Sequence, residues 1–272
     1  MEFVDKALAR RLEAAEEMPQ VHYALAYQKL RPEVGAAVEK ICGGHMIFAG
    51  LGSPIGRATG LGLDRPFTRE DIGRVEAFYH SHHAPAQVDI CPLHDPELLE
   101  VFKQRGYALA ELNNVLWRRL RTGEGPPPAP PGVYIRRGGP DEADTFAAIV
   151  ARCFAEYGVP PEGFETMLMP NYQFPGSISF VASVEGQAVG VGAGLVIPEH
   201  KVLALFGAGT LPEFRGRGIQ TALLGFRLQL AAQAGCDLAV IVTRGGTTSQ
   251  RNAERLGFRL AYSKATVVKK IL

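Results

Sequence analysis

The segment with the clearest chemical potential is a turn of alternating arginine and glycine, RGRG, at residues 215–218. Its glycines allow a tight turn and bring backbone N–H groups close to a ligand. A helical pattern begins directly after the turn, so the first N–H groups of that helix lack partners and carry the positive end of its dipole. Arg215 and Arg217 add two positive charges. Together these features predict an anion site that suits a diphosphate.

Two other phosphate-binding signatures are missing from the sequence. No GxxxxGK[ST] occurs, which disfavours a nucleoside triphosphatase, and no GxGxxG follows the first strand pattern, which disfavours dinucleotide binding. A basic surface turn is the alternative interpretation of RGRG taken alone, because short Gly/Arg motifs are common without a function. The strand pattern before the turn and the amphipathic helix after it favour the binding site.

The C-terminal half has the alternating strands and helices that would position this turn. Helical spacing predicts helices over residues 141–157, 219–234 and 248–256. Strand patterns cover residues 133–136, 177–184, 188–197, 201–211 and 237–243, and further strands follow to Leu272. The resulting order, βα(α)βββαβαββ, places the turn between the fourth strand and the long helix after it.

The segment Thr210–Leu224 resembles motif A of the GNAT superfamily, the acyl-CoA-dependent N-acyltransferases, whose pattern is Q/R-x-x-G-x-G/A. Arg215 and Gly218 match that pattern, whereas Gln220 stands where a small residue is usual. Residues 247–258 (TTSQRNAERLGF) also resemble the family's later helix, which flanks the pantetheine arm. The resemblance covers about residues 133–272 and implies the GNAT fold.

The resemblance implies acetyl-CoA as cofactor and co-substrate, and no metal. The residues expected to bind it are in the strand end, the turn, the first helical turn and the later helix: Gly209, Thr210, Leu211, Arg215, Gly216, Arg217, Gly218, Ile219, Gln220, Thr221, Ser249 and Asn252.

The reaction implied by the resemblance is direct attack of a neutral amine on the thioester. The thioester would lie where two central strands separate, near residues 206–210 and 241–243, and a backbone N–H near residues 209–211 would stabilise the oxyanion. The tyrosine that many relatives use as general acid falls at Ala253 here. Four other side chains are alternatives as acid or base, and the catalytic residue stays unknown: Tyr172, Tyr262, Glu156 and Glu165.

The N-terminal half contains a partial copy of the C-terminal half. The pattern G-aromatic-x-L-A begins at Gly106 and again at Gly257, 151 residues later. The same offset places a helix start at Thr68, a strand at residues 87–93, and an Asp95-Pro96 helix cap in the first half. The turn maps onto DRPF at residues 64–67, where the aspartate repels phosphate and the proline lacks an N–H. We therefore expect a degenerate GNAT-like domain that does not bind the cofactor.

A proline-rich segment, GEGPPPAPPG at residues 123–132, divides the chain. It cannot form a helix or an interior strand, so it predicts an extended connector. The predicted domains are residues 1–122, without a cofactor loop, and residues 133–272, the GNAT acetyltransferase domain. The fold class is α/β (α+β), with two GNAT-like domains, each a mixed, mostly antiparallel twisted sheet flanked by helices.

Composition excludes several classes of protein. The 272 residues carry a formal net charge of +1, which predicts no binding to nucleic acid or an anionic membrane. No apolar run reaches the roughly 18–20 residues of a membrane helix. Four cysteines are too few for a disulfide framework and favour a reducing, cytoplasmic location. A zinc set is a weak alternative, since CxxH is a poor ligand spacing: Cys42, His45, Cys91 and His94.

The function expected is an N-acetyltransferase, of EC 2.3.1 type, that acts on a primary amine of a small molecule, amino acid or peptide. The partners are therefore acetyl-CoA and an amine substrate, and the chain is a monomer or a homodimer. A non-catalytic acyl-CoA-binding or interaction module is the alternative, because the helix tyrosine is missing and the first half is degenerate. A structural pair of domains that binds neither ligand is a third hypothesis.

Overall fold

A computed structural model describes residues 2–53, 55–94, 97–156 and 158–270. Its α-helices are α1 (Lys6–Leu30), α2 (Arg69–Ser81), α3 (Glu97–Gln104), α4 (Ala143–Ala155), α5 (Pro161–Leu168), α6 (Pro170–Gln173), α7 (Ile219–Gln233) and α8 (Thr248–Arg255). Its strands are β1 (Ala37–Ile41), β2 (Gly44–Phe48), β3 (Ala58–Thr59), β4 (Ala86–Ile90), β5 (Ala108–Arg119), β6 (Val133–Gly138), β7 (Ser177–Val184), β8 (Gln187–Ile197), β9 (Val202–Thr210), β10 (Leu238–Arg244) and β11 (Arg259–Lys269). The expected Asp95-Pro96 cap, Tyr157 and Leu272 lie outside the described residues.

The contacts divide the chain into two units. The N-unit consists of residues 1–115, 243–245 and 260–272, and the C-unit of residues 116–242 and 246–259. The expected domains were residues 1–122 and 133–272. The observed units differ because β11, near the end of the chain, pairs with β4 of the N-unit. They differ also because Leu120 belongs to the C-unit, where its N–H donates to the Asp237 carbonyl.

The N-unit has an apolar core on one face of its sheet and a group of buried ion pairs on the other face. Its strand order is β1-β2-β3-β4-β11, followed by the first part of β5. Helices α2 and α3 pack on the apolar face, where Ile72 and Phe102 meet Val88. Asp89 points to the opposite face because side chains alternate along a strand. There Lys264 forms ion pairs with Glu13, Glu16 and Asp89.

The C-unit is a mostly antiparallel sheet between helices. The end of β5 is followed by β10, β9, β8, β7 and β6, and of the pairs from β10 to β6 only β10–β9 is parallel. On one face α4 packs against Val181 of β7, and on the other α7 packs against the neighbouring residues Phe180 and Ala182. This matches the predicted fold class and places α7 directly after β9.

The predicted internal repeat is present in the elements. The order α2-β4-α3-β5 recurs as α7-β10-α8-β11, and both ends of α8 follow those of α3 by 151 residues. Thr68 caps α2 with the expected capping box. The starts of the four elements in the second half follow those in the first half by 150 to 152 residues, close to the offset read from the short motif.

The proline-rich connector runs along α7 without regular secondary structure. A Cβ built on Gly225 would lie 2.1 Å from Pro127 Cδ, and one on Gly218 would lie 3.5 Å from Pro130 Cγ. The three residue steps from Pro127 to Pro130 span roughly 10 Å in an extended proline-type chain, and the seven steps from Gly218 to Gly225 span about the same length in a helix. The two segments can therefore run side by side. The connector is thus extended, as predicted, and packs antiparallel to the helix.

None of the helices in the described ranges is both long and apolar enough to cross a membrane. All four cysteines are buried free thiols.

Candidate functional site

The strand that leads to the RGRG turn contains a β-bulge. The β8–β9 register is Val191 opposite Gly209 and then Ala193 opposite Phe206, so β9 has one extra residue. Gly207 adopts a φ of +52° there, and its carbonyl accepts a hydrogen bond of 3.1 Å from the Tyr172 hydroxyl. A bulge interrupts the sheet ladder and re-aims the backbone.

The parallel pairing of the two strands beside the bulge stops before β9 ends. β9 and β10 pair over Val202–Leu205 and Leu238–Ile241, and this register ends there while β9 continues to Thr210. Ligands in open α/β sheets bind at the carboxyl ends of such strands. The end of this pairing and the turn after β9 therefore lie at the same end of the strands, where we look for the candidate site.

The RGRG turn is tight and exposed to solvent. Gly216 and Gly218 have φ values of +74° and +79°, and a Cβ on Gly216 would meet open space. Among the described residues, no acceptor bonds the N–H groups of residues 216–221. Gly218 is the N-cap of α7 and has no side chain to cap it. The turn therefore offers bare amides to an anion at the positive end of a helix.

Arg215 lies at the mouth of the turn and is held by a carboxylate. Its guanidinium donates to Glu156 Oε2 at 2.8 Å and to the Thr210 carbonyl at 3.1 Å. The hydrogen bond from Arg215 lowers the pKa of Glu156, whereas burial raises the pKa of the neighbouring Cys153 thiol. Arg217 lies over the Phe214 ring at 5.7 Å, and no carboxylate pairs with it in the described part of the chain.

Gln220, which departs from the family pattern, does not obstruct the turn. Its side-chain amide lies 3.5 Å from the Val191 carbonyl and so points back to the sheet. The Ile219 side chain is buried in the core with Leu223, and Thr221 is half-buried. Only the backbone N–H groups of these first helical residues face the turn in the way that phosphate binding needs.

Two of the expected residues offer less than the sequence suggested. Leu211 is buried and its N–H donates to the Val189 carbonyl at 2.9 Å, so it has no free donor for an oxyanion. The Thr210 hydroxyl is buried without a partner, on the side of the strand that faces Ile219. The donors available for a ligand are therefore the backbone N–H groups of the turn and of the first residues of α7.

Helix α8 presents Ser249 and Asn252 on its more exposed side. Ser249 is exposed and Asn252 half-buried, whereas Ala253 is fully buried in the core with Phe258. No polar group can therefore act from position 253.

The four candidate acids and bases are not brought together. Tyr172 is buried at the bulge, and burial raises its pKa. Tyr262 lies in the N-unit, where its hydroxyl donates to Glu13 at 2.6 Å. Glu156 binds Arg215, and Glu165 is exposed on α5. Only Tyr172 and Glu156 contact residues of the candidate site.

Sequence reasoning missed Arg227, a fully buried cation behind the bulge. It donates to the Ala193 carbonyl at 2.8 Å and to the Leu223 carbonyl at 3.1 Å, and it occupies the space left by Gly192. Burial lowers its pKa to about 10. The alternating glycines of β8 could have indicated this buried side chain, because a glycine within a strand often marks the place where another group approaches the backbone closely.

The corresponding helix start in the N-unit is closed by its own side chains. The Arg65 guanidinium donates two hydrogen bonds of 2.8 Å to the Asp71 carboxylate. That carboxylate also accepts from the Thr68 N–H, and the Thr68 hydroxyl accepts from the Asp71 N–H. A carboxylate thus occupies the place where an external anion would bind.

Among the described residues, no group of three or more His, Cys, Asp or Glu side chains could hold a metal ion. Two residues of the zinc alternative have other partners: His45 pairs with Glu17 at 2.5 Å, and the Cys42 thiol faces the carbonyls of Arg65 and Pro66.

Comparison with known proteins finds a family match within the C-terminal half. Residues 145–258 match the acetyltransferase (GNAT) family. A GCN5-related N-acetyltransferase from Kribbella flavida has a similar fold, with a TM-score of 0.64 and 16% identity over 92% of this chain and 95% of that one. No curated protein matches the chain.

Two further solved structures share the fold. A tandem GNAT protein from the clavulanic acid biosynthesis pathway gives a TM-score of 0.57 and 17% identity over 86% of this chain and 78% of that one. A GCN5-related N-acetyltransferase from Sphaerobacter thermophilus gives 0.51 and 22% identity over 68% of this chain and 59% of that one.

Proposed function

Because residues 145–258 match the acetyltransferase (GNAT) family, we propose that this chain transfers an acetyl group from acetyl-CoA to a primary amine of a small molecule, amino acid or peptide. The observation that carries the proposal is the free N–H groups of residues 216–221 at the start of α7. They suit a diphosphate, and beside them lies Arg217, which no carboxylate of the described residues pairs.

The residues of the C-unit fit such a cofactor. The diphosphate would bind the turn Arg215–Gly218 and the first N–H groups of α7, including those of Gln220 and Thr221. The pantetheine arm would pass between the separating strands and α8, where Ser249 and Asn252 supply polar contacts. Acetyl-CoA supplies an activated thioester, and its acyl group would lie near the bulge at Gly207–Gly209.

The chain would contribute mainly alignment. The Tyr172 hydroxyl holds the bulge through the Gly207 carbonyl, and this backbone would lie beside the reacting carbonyl. Holding the two reactants in the right geometry lowers the entropic part of the barrier. The amine would attack directly, without an acyl-enzyme, since the buried Cys153 has a pKa that burial raises and its thiolate is disfavoured.

A non-catalytic acyl-CoA-binding module is the second candidate. It is favoured by the burial of Ala253, where relatives place a general acid. Thiol release from acetyl-CoA with a panel of amines separates the two candidates. Turnover supports the enzyme, and tight binding without turnover with any amine supports the binding module.

The test of the site is Gly218→Trp, measured by calorimetry with acetyl-CoA. The indole ring would cover the bare amides, so we expect at least a tenfold loss of affinity. Gly235→Trp is the matched control: Gly235 has the same left-handed backbone at the other end of α7, and open space around its Cβ. Equal affinity of the two variants would contradict the assignment of the turn.

A further inference from the structure

The end of α4 holds the phosphate-binding turn through two ion pairs of opposite polarity. Glu156 binds Arg215 through both carboxylate oxygens, with one hydrogen bond of 2.8 Å. One helical turn earlier, Arg152 pairs with Glu213 at 3.2 Å. The Arg215 guanidinium therefore holds a two-oxygen anion that belongs to the protein itself.

A carboxylate and a phosphate compete for the same face of a guanidinium, because both accept its paired N–H groups. The Arg215–Glu156 pair is exposed to solvent, at 41% and 40% of the two side chains. Exposed ion pairs contribute little free energy. A diphosphate that also collects the backbone N–H groups of the turn should therefore displace Glu156.

The N-unit contains a similar arginine–carboxylate pair, but there the carboxylate is buried. Asp71 binds Arg65 through two oxygens, but its side chain is only 5% exposed. It also belongs to the first turn of its own helix, where Thr68 bonds it twice more. That internal anion is locked in place, whereas Glu156 reaches Arg215 from a different helix.

We infer that Glu156 is a positioning residue that occupies Arg215 in the free protein and gives way to the diphosphate of acyl-CoA. This inference rests on the proposed function. Glu156 therefore competes with the cofactor, and its carboxylate is released from the turn when acyl-CoA binds. The affinity of the proposed site for acyl-CoA is consequently lower than it would be without the carboxylate of Glu156.

The experiment is calorimetry of acetyl-CoA binding at low salt, where surface charges are least screened. Glu156→Gln should bind about three- to five-fold more tightly than the natural chain, as expected for loss of an exposed ion pair. Glu213→Gln removes the same charge from the turn without touching Arg215, and should gain less. In an Arg215→Gln background the gain from Glu156→Gln should vanish.

The inference is overturned if Glu156→Gln binds no more tightly than the natural chain, if Glu213→Gln gains as much, or if the gain persists without Arg215. These results would leave acetyl-CoA binding itself intact. Absence of binding by the natural chain and by every variant would instead refute the proposed function, and this inference with it.

Discussion

Gly209 is the point at which α4 touches the strand that leads to the turn, and its lack of a side chain can be tested. A Cβ built on Gly209 would lie 2.8 Å from Cys153 Sγ and 3.3 Å from Cys153 Cβ. The shorter distance is about 0.6 Å below ordinary van der Waals contact at 3.4 Å. Gly209 has no positive φ, so Gly209→Ala adds this clash without backbone strain.

The expected cost of Gly209→Ala is about 1–3 kcal/mol in the free energy of unfolding, the usual range for overpacking a core. Because Cys153 and Arg215 lie close enough that each shifts the pKa of the other, a displaced thiol should move the guanidinium and weaken acetyl-CoA binding. Urea unfolding and calorimetry measure the two effects on the same protein.

Two variants make the reasoning refutable. Gly73→Ala places a methyl group in open space within α2, and should stabilise the protein by about 0.5–1 kcal/mol through helix propensity. Cys153→Ala in the Gly209→Ala background removes the clashing sulfur, so the double variant should be more stable than additivity of the single variants predicts. Simple additivity would show that the two side chains do not meet.

Two further changes test the electrostatics. Lys264→Met leaves Glu13, Glu16 and Asp89 without their shared cation, which should lower the free energy of unfolding in urea by about 3–5 kcal/mol. Lys269→Met is the control at a more exposed ion pair, and it should lower the free energy of unfolding by less than about 1 kcal/mol. Hydrogen bonds from the Arg136 guanidinium lower the pKa of Glu142 from 4.5 to about 2, so this carboxylate stabilises the fold above pH 4.5 and loses that contribution as the pH falls through about 2. The stability difference between the natural chain and Glu142→Gln, at most about 1 kcal/mol at neutral pH, should therefore disappear on acidification, and a constant difference would contradict it.

The local features of the site were predictable because they depend on neighbours in sequence. A glycine that caps a helix, an amphipathic repeat and a capping box are each set within a few residues. The turn at residues 215–218, the start of α7 at Ile219 and the cap at Thr68 therefore agree with the sequence analysis. The 151-residue offset worked for the same reason, since it compares one local pattern with another.

The partners of the charged side chains were not predictable, because they depend on which elements the fold brings together. The sequence shows Glu156 at the end of a helix but not that the helix ends beside Arg215. It likewise shows the acidic residues of α1 and shows Lys264, but not that this lysine pairs with them. Periodicity identifies the buried face of an element and leaves its neighbour open.

Tyr262 illustrates how one strand pairing decides a catalytic assignment. From sequence it follows α8 closely and is a reasonable acid for a site flanked by that helix. β11, however, pairs with β4, with Ala265 opposite Ile90, so its side chains belong to the N-unit core. There the Tyr262 hydroxyl donates to Glu13, and burial raises its pKa. A phenol that already donates to a buried carboxylate is held by the N-unit network, which leaves Tyr172 as the one tyrosine among the candidates that contacts the bulge.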